Sequence, residues 1–492
     1  VGNHRLFSLL FVTFISALPR RSISAILAAV HGFTNTPQEY PPLRSAEERR
    51  DDFHEIYQPY ADAAAQIQAS RCSQCGIPFC QVHCPLENNI PDWLRLTAEG
   101  RLDEAYAVSS ATNTFPEICG RICPQDRLCE GNCVVNKDFN AITIGSIEKY
   151  ITDHAWDNGL VQPFKPAVEL KQSVGIVGAG PAGLAAAEQL RRRGYQVHVY
   201  DRHDRVGGLL IYGIPNFKLD KSIVTRRTQQ FEQSGIRFHL NCEIGKDVTL
   251  EELRAKHDAV LMATGVYQAR DITMPGIALD GVTQALPFLI AHNRHGLGDA
   301  TDAALRDVAG KNVVVIGGGD TAMDCLRTSV RAGAKSVTCL YRRDRENMPG
   351  SAREVKRAEE EGVQFKWLSA PKALDGDGRV QRVLAKQMRL GEADASGRRM
   401  PEEISGSEFE LAADRVILAL GFEAETVEGA KYKCRDDRRI LIDARFETSQ
   451  EGVFAAGDNV RGASLVVWAI RDGRDAAAAM HRFLQNTQKD AA

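Results

Sequence analysis

The sequence predicts an α/β protein in which a cysteine-rich α-helical domain precedes two Rossmann-like dinucleotide-binding domains, the second inserted into the first. Three observations carry this. Eight of the twelve cysteines fall between Cys72 and Cys133, a strand–glycine turn–helix–strand pattern occurs twice after Ser173, and another strand ends in Gly457-Asp458 near the C-terminus. At about 150 residues per domain, 492 residues suggest roughly three domains. With 61 Lys+Arg against 64 Asp+Glu, the net charge of −3 leaves no electrostatic footprint for nucleic acid or an anionic membrane.

The first segment is set apart by composition. Leu6–Leu18 is a mostly apolar run after His4 and Arg5, similar to a signal-peptide core, yet too short to span a bilayer. A twin-arginine signal places its arginines ahead of such a run, whereas Arg20 and Arg21 follow it. No methionine precedes Met262, so Val1 reads as a start codon translated literally. The expectation is that translation begins near Val30 and that residues 1–29 are a mis-assigned leader.

Residues 30–165 read as short helices between cysteine clusters. Asp92–Ser109, with Trp93, Leu94, Leu96, Leu102, Ala105 and Tyr106, has helical apolar spacing. The first run is Cys72-x2-Cys75-x4-Cys80-x3-Cys84-Pro85; the second is Cys119-x3-Cys123-Pro124-x5-Cys129-x3-Cys133. Such crowding in a large chain favours metal sites over disulfides and a reducing, cytoplasmic compartment. Eight thiolates suffice for two 4Fe-4S clusters or two structural zinc sites. The Cys-Pro endings, the lack of alternating histidines and the neighbouring redox motifs favour iron–sulfur, with a zinc-binding, non-redox adaptor as the remote alternative. The last cysteine of a run often ligates the other cluster, so Cys72, Cys75 and Cys80 group with Cys133, and Cys84 with Cys119, Cys123 and Cys129. His83 reads as a loop residue.

The dinucleotide domains are expected at 166–285 and 441–492 for FAD, with the NADPH domain at 286–440. Val174–Val177 leads into Gly178-Ala-Gly180-Pro-Ala-Gly183, a helix through Arg193 and the strand Gln196–Tyr200. Val313–Ile316 leads into Gly317-Gly-Gly319-Asp-Thr-Ala322, a helix through Arg331 and the strand Ser336–Leu340. In each copy the first glycine makes the tight turn, the second admits the pyrophosphate, and the third small residue lets helix pack on strand. Asp201 ends the second strand of the first copy, where an acid accepts the ribose hydroxyls. The second copy carries Tyr341-Arg342-Arg343 there, which removes the acid and offers Arg342 and Arg343 to a 2′-phosphate, hence NADPH. By likeness to flavoproteins with two dinucleotide domains, Gly457-Asp458 faces the flavin ribityl-phosphate side, a helix from about Gly462 to Ala479 points at the ring, and Ala263-Thr-Gly265 and Ala419-Leu-Gly421 are the crossover ends.

With these parts placed, residues 33–485 closely resemble the small (β) subunits of bacterial NADPH-dependent glutamate synthases. The match is carried by Arg71–Cys80, Cys119–Cys133, Gly207-Gly-Leu-Leu-Ile-Tyr-Gly-Ile-Pro-Asn-Phe-Lys218, Gly317–Asp324, Tyr341–Gly350 and Gly457–Ser464. The resemblance implies Gly208 as a further FAD contact. It also implies hydride transfer from NADPH to FAD and electron flow through two 4Fe-4S clusters to a large (α) subunit, which forms L-glutamate from L-glutamine and 2-oxoglutarate. No side-chain acid, base or nucleophile is expected to be catalytic, since hydride passes between bound cofactors. Neither dinucleotide domain has a Cys-x-x-Cys, so electrons are expected to leave through the clusters. The alternative within enzymes is a related NADPH:acceptor oxidoreductase of ferredoxin type serving another catalytic subunit.

Overall fold

A computed structural model describes residues 32–393 and 399–490. The leader expected at 1–29 lies outside the described residues. Two compact units emerge, one from residues 32–42, 59–120 and 127–160, the other from 43–58, 121–126 and 161–490. The expected helical domain 30–165 is therefore not one uninterrupted body: two of its segments, 43–58 and 121–126, belong to the second unit.

The first unit is a helical body built on Asp62–Ala69, Ile90–Ala98, Leu102–Thr112 and Ile144–Asp157. Trp93, Leu94, Ile147 and Ile151 are buried together, and Cys72, Cys80, Cys84, Cys129 and Cys133 pack against that core. The helix expected over Asp92–Ser109 is two helices. Gly100 takes φ +74, a left-handed conformation that favours glycine. Its N–H bonds Thr97 O at 3.0 Å, while Arg101 N–H reaches Leu96 O at 2.8 Å. This is a Schellman C-cap, which stops the first helix whatever the apolar spacing beyond it.

The second unit contains fifteen strands among the described residues: β1 (Ser173–Val177), β2 (Gln196–Tyr200), β3 (Arg237–His239), β4 (Ala259–Met262), β5 (Gln268–Ala269), β6 (Val282–Gln284), β7 (Asn312–Ile316), β8 (Ser336–Leu340), β9 (Gln364–Lys366), β10 (Ser369–Asp375), β11 (Arg382–Ala393), β12 (Arg399–Ala412), β13 (Arg415–Leu418), β14 (Phe422–Glu423) and β15 (Val453–Ala455). One five-stranded sheet has the order β15-β4-β1-β2-β3 and the other β6-β13-β7-β8-β9. All pairings within both are parallel. Buried Val- and Ile-rich strands such as Val174–Val177 and Val313–Ile316 suit a parallel sheet, which hides both faces.

The two sheets share one order, but their outer strand has different origins. In the second it is β6, before the glycine turn; in the first it is β15, from the far end of the chain. Strands β6 to β13 thus lie between β4 and β15 in sequence, and β5 pairs with β14 where the chain crosses out and back. The expected boundary after 440 falls late, because Val427, Ala430, Tyr432 and Ile440 already pack with Val177 and Val260 of the first sheet. That stretch has little regular periodicity from which to read its allegiance. The antiparallel ribbon β10-β11-β12 is an insertion between β9 and β13. No helix among the described residues is long and apolar enough to cross a membrane.

Three histidines meet on the first sheet. His198 Nδ1 lies 3.0 Å from His239 Nε2, and His257 lies between Tyr200 OH at 3.0 Å and Ser173 Oγ at 2.9 Å. Burial lowers all three, and repulsion from neighbouring histidines and from the cations Lys256 and Arg237 adds to it, taking His257 to about 4. Neutral imidazoles favoured in the native state stabilise fully above the unfolded value of 6.5 and lose that contribution as pH falls towards 4. The thermal midpoint of the full chain is therefore expected to drop between pH 6.5 and 4.5. A His198→Gln/His257→Gln variant should show a flatter profile in the same scans.

Candidate dinucleotide cradles and cysteine site

At the first glycine turn, backbone meets backbone. Gly178 has φ +111, and a Cβ there would sit 2.2 Å from Ala263 O on the crossover after β4. A Cβ on Gly183 would sit 2.0 Å from Gly178 O, whereas the Cβ position of Gly180 is open. Two positions thus have no room for a side chain, and the third leaves space for a ligand. The helix Pro181–Arg192 begins with proline in its first turn, and no side chain caps it. Its N-terminus offers main-chain donors to a phosphate.

The other residues expected here converge on that turn. Asp201 accepts from Ala179 N at 2.7 Å and from His203 N at 2.8 Å, which leaves part of its acceptor capacity for ribose hydroxyls. Gly208, with φ +54, brings its loop so close that a Cβ would lie 2.9 Å from Gly180 Cα. Gly457 abuts Ala182, and the half-buried Asp458 carboxylate accepts from Ser464 Oγ at 2.6 Å. The C-terminal helix is Val466–Asp490, later and longer than expected, preceded by the turn Asp458–Arg461. Gly473 on that helix, not singled out from sequence, lets it cross Pro181–Arg192 closely, since a Cβ would fall 2.1 Å from Ala182 O. A lone glycine inside a helical pattern was the available signal.

The second copy repeats the construction. Gly317, φ +141, faces Ala419 O at 2.2 Å from its Cβ position, and the Cβ position of Gly319 is open. Ala322 is buried on the helix Asp320–Arg331, so here the third position accommodates a methyl group. Of the two arginines after Tyr341, Arg342 is exposed. Arg343 has buried Nε and Nη2 atoms with no acceptor among the described residues. A buried donor left without an acceptor is costly; a guanidinium edge in that state fits an absent phosphate.

Lys218 ties the two dinucleotide domains together. It follows the Gly207-Gly208 loop, and its Nζ lies 2.9 Å from Asp324 of the second copy and 3.8 Å from Glu354. Phe217, fully buried, lies under the guanidinium groups of Arg327 and Arg331. Sequence inspection includes Lys218 in a motif without a role, because its partner lies more than a hundred residues away.

Cys72, Cys75, Cys80 and Cys133 line one cavity, together with Ser73, Pro78, Leu94 and Ile142. This is the grouping expected from the exchange of last cysteines. Burial raises Cys72 to about 11 and Cys80 to about 12, values at which only a bound metal would hold thiolates near neutrality. Cys84, raised by burial to about 12, neighbours Cys119 and Glu148, and Cys129 neighbours Glu130 and Cys84. Cys123 stands on segment 121–126 of the second unit. No cysteine is disulfide-bonded. Among the described residues, no three His, Cys, Asp or Glu side chains are gathered as the ligands of a single ion would be. Four thiols around a shared cavity fit a multi-atom cluster as a donor set. His83 Nδ1 lies 2.9 Å from Phe79 O, a local helix-end contact.

Two family models match, "Dihydroprymidine dehydrogenase domain II, 4Fe-4S cluster" over residues 49–160 and "Pyridine nucleotide-disulphide oxidoreductase" over residues 172–473. The chain is 60% identical to the glutamate synthase [NADPH] small chain of Azospirillum brasilense, over 92% of this chain and 96% of that one. The chain belongs to the glutamate synthase [NADPH] small chain family. It is thus an oxidoreductase. It is also 46% identical to the putative oxidoreductase AegA of Escherichia coli K12, over 92% of this chain and 71% of that longer one. The structure of Mycobacterium tuberculosis FprA in complex with NADPH shares the fold, with TM-score 0.56 and 20% identity over 65% of this chain and 86% of that one.

For a member of this family, Arg343→Ala is expected to weaken NADPH binding by about tenfold to a hundredfold, the worth of one charge-assisted contact, with NADH binding unchanged, by calorimetric titration of both. Lys218→Met leaves the Asp324 carboxyl buried without its cation. It should destabilise the second unit by about 3–5 kcal/mol in denaturant unfolding.

Proposed function

We propose that this chain oxidises NADPH through FAD and passes the electrons, by way of two 4Fe-4S clusters, to a large subunit that forms L-glutamate from L-glutamine and 2-oxoglutarate. The observation that carries the reading is the coexistence, in one chain, of two open glycine cradles and a cavity lined by four thiols. When bound, FAD supplies the conversion from two-electron hydride chemistry to the one-electron chemistry of iron–sulfur clusters.

The protein's own residues bind and orient. Gly180 leaves the main chain exposed to the FAD pyrophosphate, Asp201 receives the ribose, and Gly208, Gly457 and Asp458 enclose the remainder. Gly319 leaves the same opening for NADPH, and Arg343, with Arg342 at the surface, takes the 2′-phosphate. The Lys218–Asp324 ion pair holds one cradle against the other. No side chain is assigned a proton-transfer step. Cys72, Cys75, Cys80 and Cys133 would hold one cluster, and Cys84, Cys119, Cys123 and Cys129 the other. Eight free thiols committed to metal suit a reducing cytoplasm.

Copurification with the large subunit, followed by assay of glutamate formation dependent on NADPH, glutamine and 2-oxoglutarate, tests the whole reading. In the isolated chain, flavin bands and a broad iron–sulfur shoulder should bleach on adding NADPH. Cys84→Ser should damage the cluster of the second cysteine run; selective loss of the other cluster would overturn the partition. The likeness to part of a longer protein named as an oxidoreductase favours, as a second reading, delivery of electrons to a different acceptor. Dye reduction by NADPH without association with a large subunit would support it.

A further inference from the structure

We propose that Arg71 is the fixed counter-charge of the cluster held by Cys72, Cys75, Cys80 and Cys133, and that it raises that cluster's reduction potential. The inference rests on the ligand reading above.

Arg71 is fully buried in the first unit, one residue before the first ligand. Its Nε donates to Thr36 O at 3.0 Å, Nη1 to Ala141 O at 2.7 Å, and Nη2 to Phe139 O at 2.6 Å and Asn140 O at 3.0 Å. All of these acceptors are main-chain carbonyls, which satisfy the donors but bring no net negative charge. A guanidinium stays protonated in proteins, and a buried charge without a counter-charge costs several kcal/mol, on the order of what burial of any single ion costs. Arg71 sits directly before Cys72, and its guanidinium holds the carbonyls of Phe139, Asn140 and Ala141, the stretch leading into Ile142; Cys72 and Ile142 are both walls of the four-thiol cavity.

Four thiolates in that cavity supply the missing anion. Reduction of the cluster adds one electron and hence one more negative charge, which a nearby permanent cation stabilises further. Net charge and local electrostatics are the levers that set such potentials.

The test is an anaerobic potentiometric titration of the full, cluster-loaded chain followed by electron paramagnetic resonance. Loss of one titrating signal in Cys80→Ser assigns the first-run cluster. Arg71→Gln, which removes the charge but keeps an amide donor, should shift that signal's equilibrium at least tenfold towards the oxidised form, about 59 mV for one electron. Arg71→Lys, which keeps the charge, should retain the original potential. A cluster kept in the Lys variant and lost in the Gln variant also assigns the charge the decisive part. An unchanged potential in iron-replete Arg71→Gln, equal shifts in both variants, or loss of iron from both would overturn the proposal and leave Arg71 as a backbone clamp. If the unsubstituted chain carries no signal that depends on Cys80, the ligand reading fails instead.

Discussion

The architecture of the second unit turns on one backbone contact made twice. The carbonyl of Ala263 abuts Gly178, and that of Ala419 abuts Gly317, each within a distance that excludes a side chain. In each copy the contact locks the turn after the first strand of the sheet to the crossover leaving the adjacent strand. That closeness aims the helix N-terminus at the space beside Gly180 or Gly319. The same constraint explains why these turns tolerate only glycine, and why both cradles sit at the C-terminal strand edge, where parallel sheets bind ligands.

Cradles alone do not place two dinucleotides for hydride transfer; their relative orientation must also be held. A buried charge network does this. Lys218 reaches Asp324, Arg327 bridges Glu354 and Glu361, and Arg331 also pairs with Glu361. Against the cost of burial, the two arginines hold the Glu361 carboxyl at about 2. Arg49, from the early segment 43–58, joins through Glu360 and Glu361, which explains why that segment belongs with the second unit. Such networks are a poor source of net stability but a strong penalty against misplacement, because any displaced partner leaves an uncompensated charge. Their value here is orientation.

Both glycine turns, all four strands flanking them and the crowding of eight cysteines into one segment were legible in the sequence. Strand, turn and helix succeed one another locally there, and cysteine spacing is a local constraint on a metal site. The break at Gly100 was legible in principle, but apolar spacing continued across it and concealed the cap. The return to the first sheet near Val427 was not legible, because irregular chain declares its allegiance only through what it packs against.

The sequence by itself determined the two dinucleotide units, their order, the acid in one and arginines in the other, and the set of eight thiols. These are properties of short segments, set by backbone freedom, side-chain charge and spacing. Tertiary structure alone decided that Arg343 has unsatisfied buried donors, that Lys218 meets Asp324, and that Arg71 lies buried on main-chain carbonyls with no carboxylate among the described residues to pair it. Each depends on desolvation and on contacts between residues distant in the chain. Burial is what turns an ordinary charged side chain into one whose partner matters.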